Sequence, residues 1–184
     1  MKPALGLIET RGVARGMVTI DALVKKAPVQ IQTAHPISPG HFVIVFTGGV
    51  AEVEESLVAG VRCAGDLLLD EVFLPQIDLQ VPAAMDGIYG AKHEDVDAIA
   101  ILETYTVAST ILAADAACKA ANVQLMRMRL GQGLGGKAFF VMTGALFDIE
   151  AAVEAGEEVI ESSLLMTREV VARPHPDFVA TYSK

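Results

Sequence analysis

Two glutamates close matching stretches: Glu9 in Ala4–Thr10 (ALGLIET) and Glu103 in Ala98–Thr104 (AIAILET). Paired carboxylates can act as general acid and general base. Each one here precedes a turn and the start of a helix, which suits a structural hydrogen bond better. The segment Gly131–Lys137 (GQGLGGK) fits the opening of a phosphate-binding loop. That chemistry needs Ser or Thr next, to reach Mg2+, and a helix whose N-terminus faces the phosphates. Ala138 follows instead, and Phe139–Met142 reads as a strand. A flexible glycine turn is expected there, where backbones approach closely. His35 and His41 flank a second loop, and a threefold axis would gather three copies of each into a metal site. Single loop histidines are usually solvated, and the matching loop of the second stretch has none, so no metal is expected. Cys63 and Cys118 lack an accompanying His/Asp arrangement, so neither reads as a nucleophile. No catalytic residue is expected, and the sequence does not read as an enzyme.

Composition narrows the partners. The formal charge is −9 with no Lys/Arg cluster, which argues against nucleic acid. No apolar run approaches the roughly 18 residues that span a bilayer, and the N-terminus lacks the pattern of a secretory signal. Two scattered cysteines cannot form a disulfide framework. A cytoplasmic protein with no membrane partner is the expectation. Hydrophobic residues make up 52% of the chain, enough for a real core.

The elements that must position these residues come twice. Residues 4–31 align with 98–125 at an offset of 94, with 11 of 28 positions identical, where chance gives about two. Gly40–Gly60 aligns with Gly136–Gly156 at an offset of 96, with 7 of 21 identical. The second copy therefore carries two extra residues between about 126 and 135, where a loop tolerates them. Each copy reads as a strand (4–9), a helix (17–27), a strand (28–34), a Pro/Gly loop (His35–Gly40), a strand (Phe42–Thr47), a helix (Val50–Ala64) and a short strand near 68–74. Ile20, Leu23, Val24 and Ala27 form the expected inward face of the first helix, matched by Ala114, Ala117, Cys118 and Ala121 in copy two. Val50, Val53, Leu57, Val61 and Ala64 form that of the second helix. Cys118, opposite Val24, reads as a small core hydrophobe. The order β-α-β-β-α-β is the split βαβ, or ferredoxin-like, plan. The fold class is α/β (α+β), with domains 1–90 and 91–184 joined through residues 76–96. Lys25 and Lys119 recur at one place in the repeat, which points to a shared contact role.

In their order and duplication these residues resemble the bacterial microcompartment shell proteins, in the tandem-domain class that assembles as trimers. The carrying residues are Gly6–Thr10, Asp21-Ala-x-x-Lys25, Asp115-Ala-x-x-Lys119, the Gly-containing turns before Phe42 and Phe139, and Arg173-Pro-His175. The resemblance covers nearly the whole chain and implies two BMC domains. It implies a flat homotrimer that mimics a hexamer and tiles edge to edge with other shell proteins. It places Lys25, Lys119 and Arg173 at the tile edge; copy one has Leu74-Pro75 where copy two has the arginine. It places the loops before the third strand around a central pore for small metabolites, lined by Ile37, Ser38 and Pro39 and by Gly133, Leu134 and Gly135. In the propanediol-utilisation branch of the family, a cysteine of the copy-one loop ligates an iron–sulfur cluster. Ser38 stands at that position, and serine is a poor cluster ligand, so no cofactor is expected. Two rival readings stay open: a cluster-binding electron relay through some other ligand, and a ferredoxin-like regulator that binds a small ligand.

Overall fold

The computed structural model describes residues 3–90 and 96–182. Residues 91–95 of the joining segment lie outside the described residues. Copy one contains β1 (Ala4–Thr10), α1 (Val13–Lys26), β2 (Gln30–Ile37), β3 (His41–Gly48), α2 (Val50–Ala64) and β4 (Leu68–Leu74). A single 3-10 turn, Gly65–Leu67, links α2 to β4. A short helix, α3 (Gln80–Met85), lies in the joining segment. Copy two contains β5 (Ala98–Thr104), α4 (Val107–Ala120), β6 (Gln124–Leu130), β7 (Ala138–Gly144), α5 (Leu146–Glu158) and β8 (Leu165–Ala172), followed by α6 (Pro176–Tyr182). Neither α3 nor α6 is expected from the sequence pattern.

Each copy is a four-stranded antiparallel sheet, ordered β2-β3-β1-β4 in one and β6-β7-β5-β8 in the other. This is the ferredoxin-like order. The duplication extends to the irregularities. The register of β2 on β3 shifts between Ile31 and Thr33, and that of β6 on β7 between Leu125 and Arg127. The outer strand slips between Glu9 and Thr10 in copy one, and between Glu103 and Thr104 in copy two. Bulges re-aim side chains and tend to be retained as features of a fold; here both are retained at the offset of 94.

The chain divides into two compact units. One is residues 1–77 with 106–108 and 131–136; the other is 78–105, 109–130 and 137–184. The first unit has a core of Ala4, Ile8, Leu23, Phe42, Ile44, Phe46, Val53 and Leu57. In the second unit Ile99, Met126, Val141 and Val179 of α6 form a buried cluster.

The first helix differs from expectation. It begins at Val13 rather than 17, and its buried residues are Gly16, Thr19 and Leu23, with Ile20 packed beside them. Val24 is 44% exposed. In α2 the buried residues are Val53, Ser56, Leu57, Gly60 and Ala64, while Val50 is largely exposed. The reason is close packing of the two helices. Ser56 donates to the Leu23 carbonyl at 3.1 Å, and a Cβ on Gly60 would fall 2.5 Å from Leu23 Cδ2. Small residues at a helix contact let backbones approach where valines would hold them apart, so the apolar pattern alone misplaced this face. In copy two Ala114 and Ala117 are buried as expected, whereas Cys118 and Ala121 are only half-buried.

Residues 78–90 of the joining segment belong to the second unit and shield the edge of its sheet. The Gln80 amide accepts from Leu125 N and donates to Val123 O, both at 3.1 Å. Tyr89 Oη accepts from Met128 N at 3.1 Å and donates to Met128 O at 3.4 Å. Unpaired edge strands invite pairing with other chains, and here three backbone groups of β6 and the Val123 carbonyl just before it are occupied by two side chains.

Candidate functional site

Glu9 is the penultimate residue of β1, at the bulge that it shares with Thr10. Its side chain is fully buried. Oε2 accepts from Val107 N at 2.9 Å, at the first residue of α4, and the Ala108 N–H also bonds the carboxyl. A helix N-terminus carries unpaired N–H groups and positive dipole charge, so a carboxylate belongs there. This is the structural hydrogen bond that the sequence context favours. The other oxygen, Oε1, faces His41 Nδ1 at 3.4 Å, and both atoms are buried without a hydrogen-bond partner among the described residues. Burial pushes the Glu9 carboxyl up to about 7; the Val107 amide opposes this, the Asp70 charge adds to it, and the Ala108 amide opposes it. Burial, then the Arg11 charge, lowers His41. One proton between Oε1 and Nδ1 would satisfy both atoms, and these shifts place it on the carboxyl.

The second copy builds the same position differently. Glu103 Oε1 pairs with Lys137 Nζ at 2.8 Å, and that lysine also lies 3.2 Å from Met166 Sδ. His41 and Lys137 are equivalent at the offset of 96. Neither partner is named by the sequence motifs. The repeat alignment could have found them, because it sets one basic residue against the other.

The two hairpin loops occupy the places expected from sequence. The first is a three-residue turn, Ser38–Gly40, between β2 and β3. Strand β2 runs to Ile37, three residues beyond the expected end. Ser38 and Pro39 are exposed, but Ile37 is buried. A Cβ on Gly131 would fall 2.5 Å from Ile37 Cδ1, so the Ile37 side chain packs against the second loop. The second loop, 131–137, joins two antiparallel strands, and four of its glycines take positive φ (Gly131, Gly133, Gly135 and Gly136). That region suits glycine alone at little cost. No helix follows, so the phosphate-loop geometry is absent. Gly133 and Gly135 are exposed and Leu134 half-buried. His35 is engaged at both nitrogens: Nδ1 lies 2.9 Å from Thr33 Oγ1, and Nε2 lies 3.4 Å from Gln132 Nε2.

The basic residues at the expected edge are not equivalent. Lys25 pairs with Asp21 at 2.6 Å, both well exposed. Lys119 pairs with Asp115 at 2.5 Å, but Asp115 is buried and also accepts from Asp78 N at 2.7 Å. Removing Lys25 should change stability by no more than about 1 kcal/mol, as for exposed pairs. Removing Lys119 strips the charge partner from a buried carboxylate and should lower stability measurably; a thermal melt of the two alanine variants checks this. Arg173 is exposed and takes φ of 50°, with its N–H donating to Asp97 O at 2.7 Å.

A hollow of about 380 Å³ in the second unit is lined by Val96, Asp97, Asn122, Gln124, Thr143, Gly144, Ala145 and Asp148. Among the described residues no three His, Cys, Asp or Glu side chains gather as a metal site, and no helix is long and apolar enough to cross a membrane.

Comparison with known proteins agrees with this architecture. The BMC domain pattern matches residues 4–77 and again 98–174. The bacterial microcompartment shell protein PduT of Citrobacter freundii is 38% identical over 176 residues, covering 95% of each chain. The crystal structure of a microcompartment protein from Desulfitobacterium hafniense superposes with a TM-score of 0.83 at 35% identity, covering 97% of this chain and 98% of that one. A fused, permuted hexameric shell protein of the RMM microcompartment shares the fold, with a TM-score of 0.66 at 18% identity over 85% of this chain and 80% of its own. With two BMC domains in tandem and a shell-protein relative over 95% of its length, the chain belongs to the BMC-domain family of bacterial microcompartment shell proteins.

Proposed function

We propose that this chain is a structural shell tile: a homotrimer, sixfold in outline and threefold in chemistry, that packs edge to edge with other shell proteins in a bacterial cytoplasm. The observation that carries the reading is the backbone duplication itself. Two domains repeat even their bulges yet differ in the hairpin loops, so a ring of three chains alternates two loop types around its centre. Heterologous contacts of this kind close into rings. The relatives support it, one being a microcompartment shell protein and another a hexameric shell protein.

The pore belongs at the centre of the ring. Ser38, Pro39, Gly133, Leu134 and Gly135 supply its hydroxyl, backbone and methyl groups, and small polar metabolites are its cargo. Its role is passive, with no bond made or broken. Ser38 replaces a thiolate at the position expected of a cluster ligand, so the trimer holds no iron–sulfur cluster. An as-isolated visible spectrum tests this: a colourless, iron-free protein is expected, and a brown one with iron overturns it.

Lys25, Lys119 and Arg173 form the tile edge. Electron microscopy of concentrated protein should show sheets or tubes, and Lys25→Ala with Lys119→Ala should abolish them while leaving the ring intact. Soluble rings from the unmodified protein under all conditions would count against the edge assignment.

A further inference from the structure

The repeat contains one contact that a single chain can make only once. In the first unit Glu9 receives the first turn of α4 through Val107 N, and Gly136 lies against His41, where a Cβ would fall 3.4 Å from Nδ1. The offsets of 94 and 96 turn each of these residues into a partner elsewhere. Glu9 becomes Glu103 and His41 becomes Lys137. Val107 and Ala108 become Val13 and Ala14, and Gly136 becomes Gly40. The acidic half of the second set exists: Glu103 and Lys137 are paired and partly exposed. The receiving half exists too. Helix α1 starts at Gly12 with no side-chain cap and no acidic residue in its first turn. A Cβ on Gly40 meets no atom within 4 Å.

We infer that a second copy of this chain completes the set: Glu103 and Lys137 of one chain receive the first turn of α1 and the Gly40 turn of the next. The N–H groups of Val13 and Ala14 donate to the Glu103 carboxylate, and Lys137 packs under Gly40. Each chain then offers one acid and one uncapped helix, the head-to-tail arrangement that closes into a ring. The two ring junctions differ in one respect. The junction inside the chain has a buried Glu–His pair, and the junction between chains has a Glu–Lys ion pair. This inference rests on the ring assembly proposed above.

The test uses the full chain. Gly12 has extended backbone, with φ of −145°, and a Cβ there meets only Leu67 Cδ1 at 3.9 Å, so Gly12→Asp fits without strain. Aspartate is a good N-cap. It supplies α1 with its own cap and repels Glu103 of the next chain. Sedimentation should show association weakened at least tenfold, while the dissociated chain melts no lower than wild type diluted until it too is dissociated. Adding Glu103→Gln removes the repulsion and should restore much of the association. In wild-type rings the Val13 and Ala14 amides should exchange slowly, and Glu103→Ala should speed them. A ring that is equally tight in Gly12→Asp, or one in which those amides exchange at the solvent rate, overturns the inference and leaves the ring standing. A wild-type monomer at all concentrations overturns both.

Discussion

Exchanging Gly16 for Thr should severely destabilise the first unit, and exchanging Phe42 for Ala in the same chain should largely rescue it. A Cβ on Gly16 would fall 2.5 to 2.7 Å from Cδ1, Cγ and Cβ of Phe42. The clash reaches the base of the ring, which cannot swing away inside a packed core. Phe42→Ala alone leaves a cavity, at a cost of about 3–5 kcal/mol. In a chain of this size that lowers the melting temperature by roughly 10 °C. The double variant copies what the protein already does. At the equivalent positions of copy two stand Thr110 and Ala138, both fully buried. Thr110 Oγ1 lies 2.5 Å from Thr104 Oγ1, and Thr10 is the matching residue in copy one. A thermal melt of the two single variants and the double should give strongly non-additive losses. Additive losses would show that positions 16 and 42 do not pack against each other. Gly6 and Phe46, paired across β1 and β3, face the same choice as Ala100 and Met142 in copy two. A Cβ on Gly6 would fall 2.4 Å from Phe46 Cζ. The two copies have exchanged large and small partners while keeping one backbone.

Glu9→Gln should flatten the fall in stability as pH rises. In the unfolded chain a glutamate releases its proton near 4.5; in the folded chain Glu9 holds it to about 7. Below 4.5 the group is protonated in both states and its contribution is fully present. Between 4.5 and 7 the folded chain binds the proton that the unfolded chain has lost, so stability declines as pH rises. By pH 8 the loss amounts to about 3 kcal/mol, from 1.36 kcal/mol for each pH unit of difference. The buried charge is the cause, and no solvent reaches it to soften the penalty. Gln keeps an oxygen for the Val107 amide and gives an NH2 to His41 Nδ1, without the titration. Glu71 is also raised, by burial and by Asp70, and adds a decline common to both proteins. His41 acts in the opposite sense, because a lowered value removes stability as pH falls. Melting temperatures of wild type and Glu9→Gln at pH 5 and pH 8 isolate the Glu9 contribution. Equal slopes would mean that Glu9 is ionised throughout.

The duplication, the order of elements and the ferredoxin-like plan were legible in the sequence, because hydrophobic period and turn residues are local signals and an internal repeat doubles each of them. Helix α2 and strands β1, β3 and β4 fall within a residue or so of the expected bounds. The two extra residues of the second copy, expected between about 126 and 135, fall in the loop between Leu130 and Ala138. Both glutamates could be singled out from their repetition and their place before a helix.

Only the tertiary structure decided how those residues are used. The amide that Glu9 accepts from lies 98 residues away. Whether a carboxylate is sealed beside a histidine or paired openly with a lysine depends on what packs over it, and one-dimensional spacing carries no such information. The buried face of α1 and the occupant of each core position depend likewise on the shape of a distant neighbour. Gly16 faces Phe42, and the equivalent positions of copy two hold the buried Thr110 and Ala138. Pattern sets which elements form; complementary volume and burial set which side chains meet and which protons they hold.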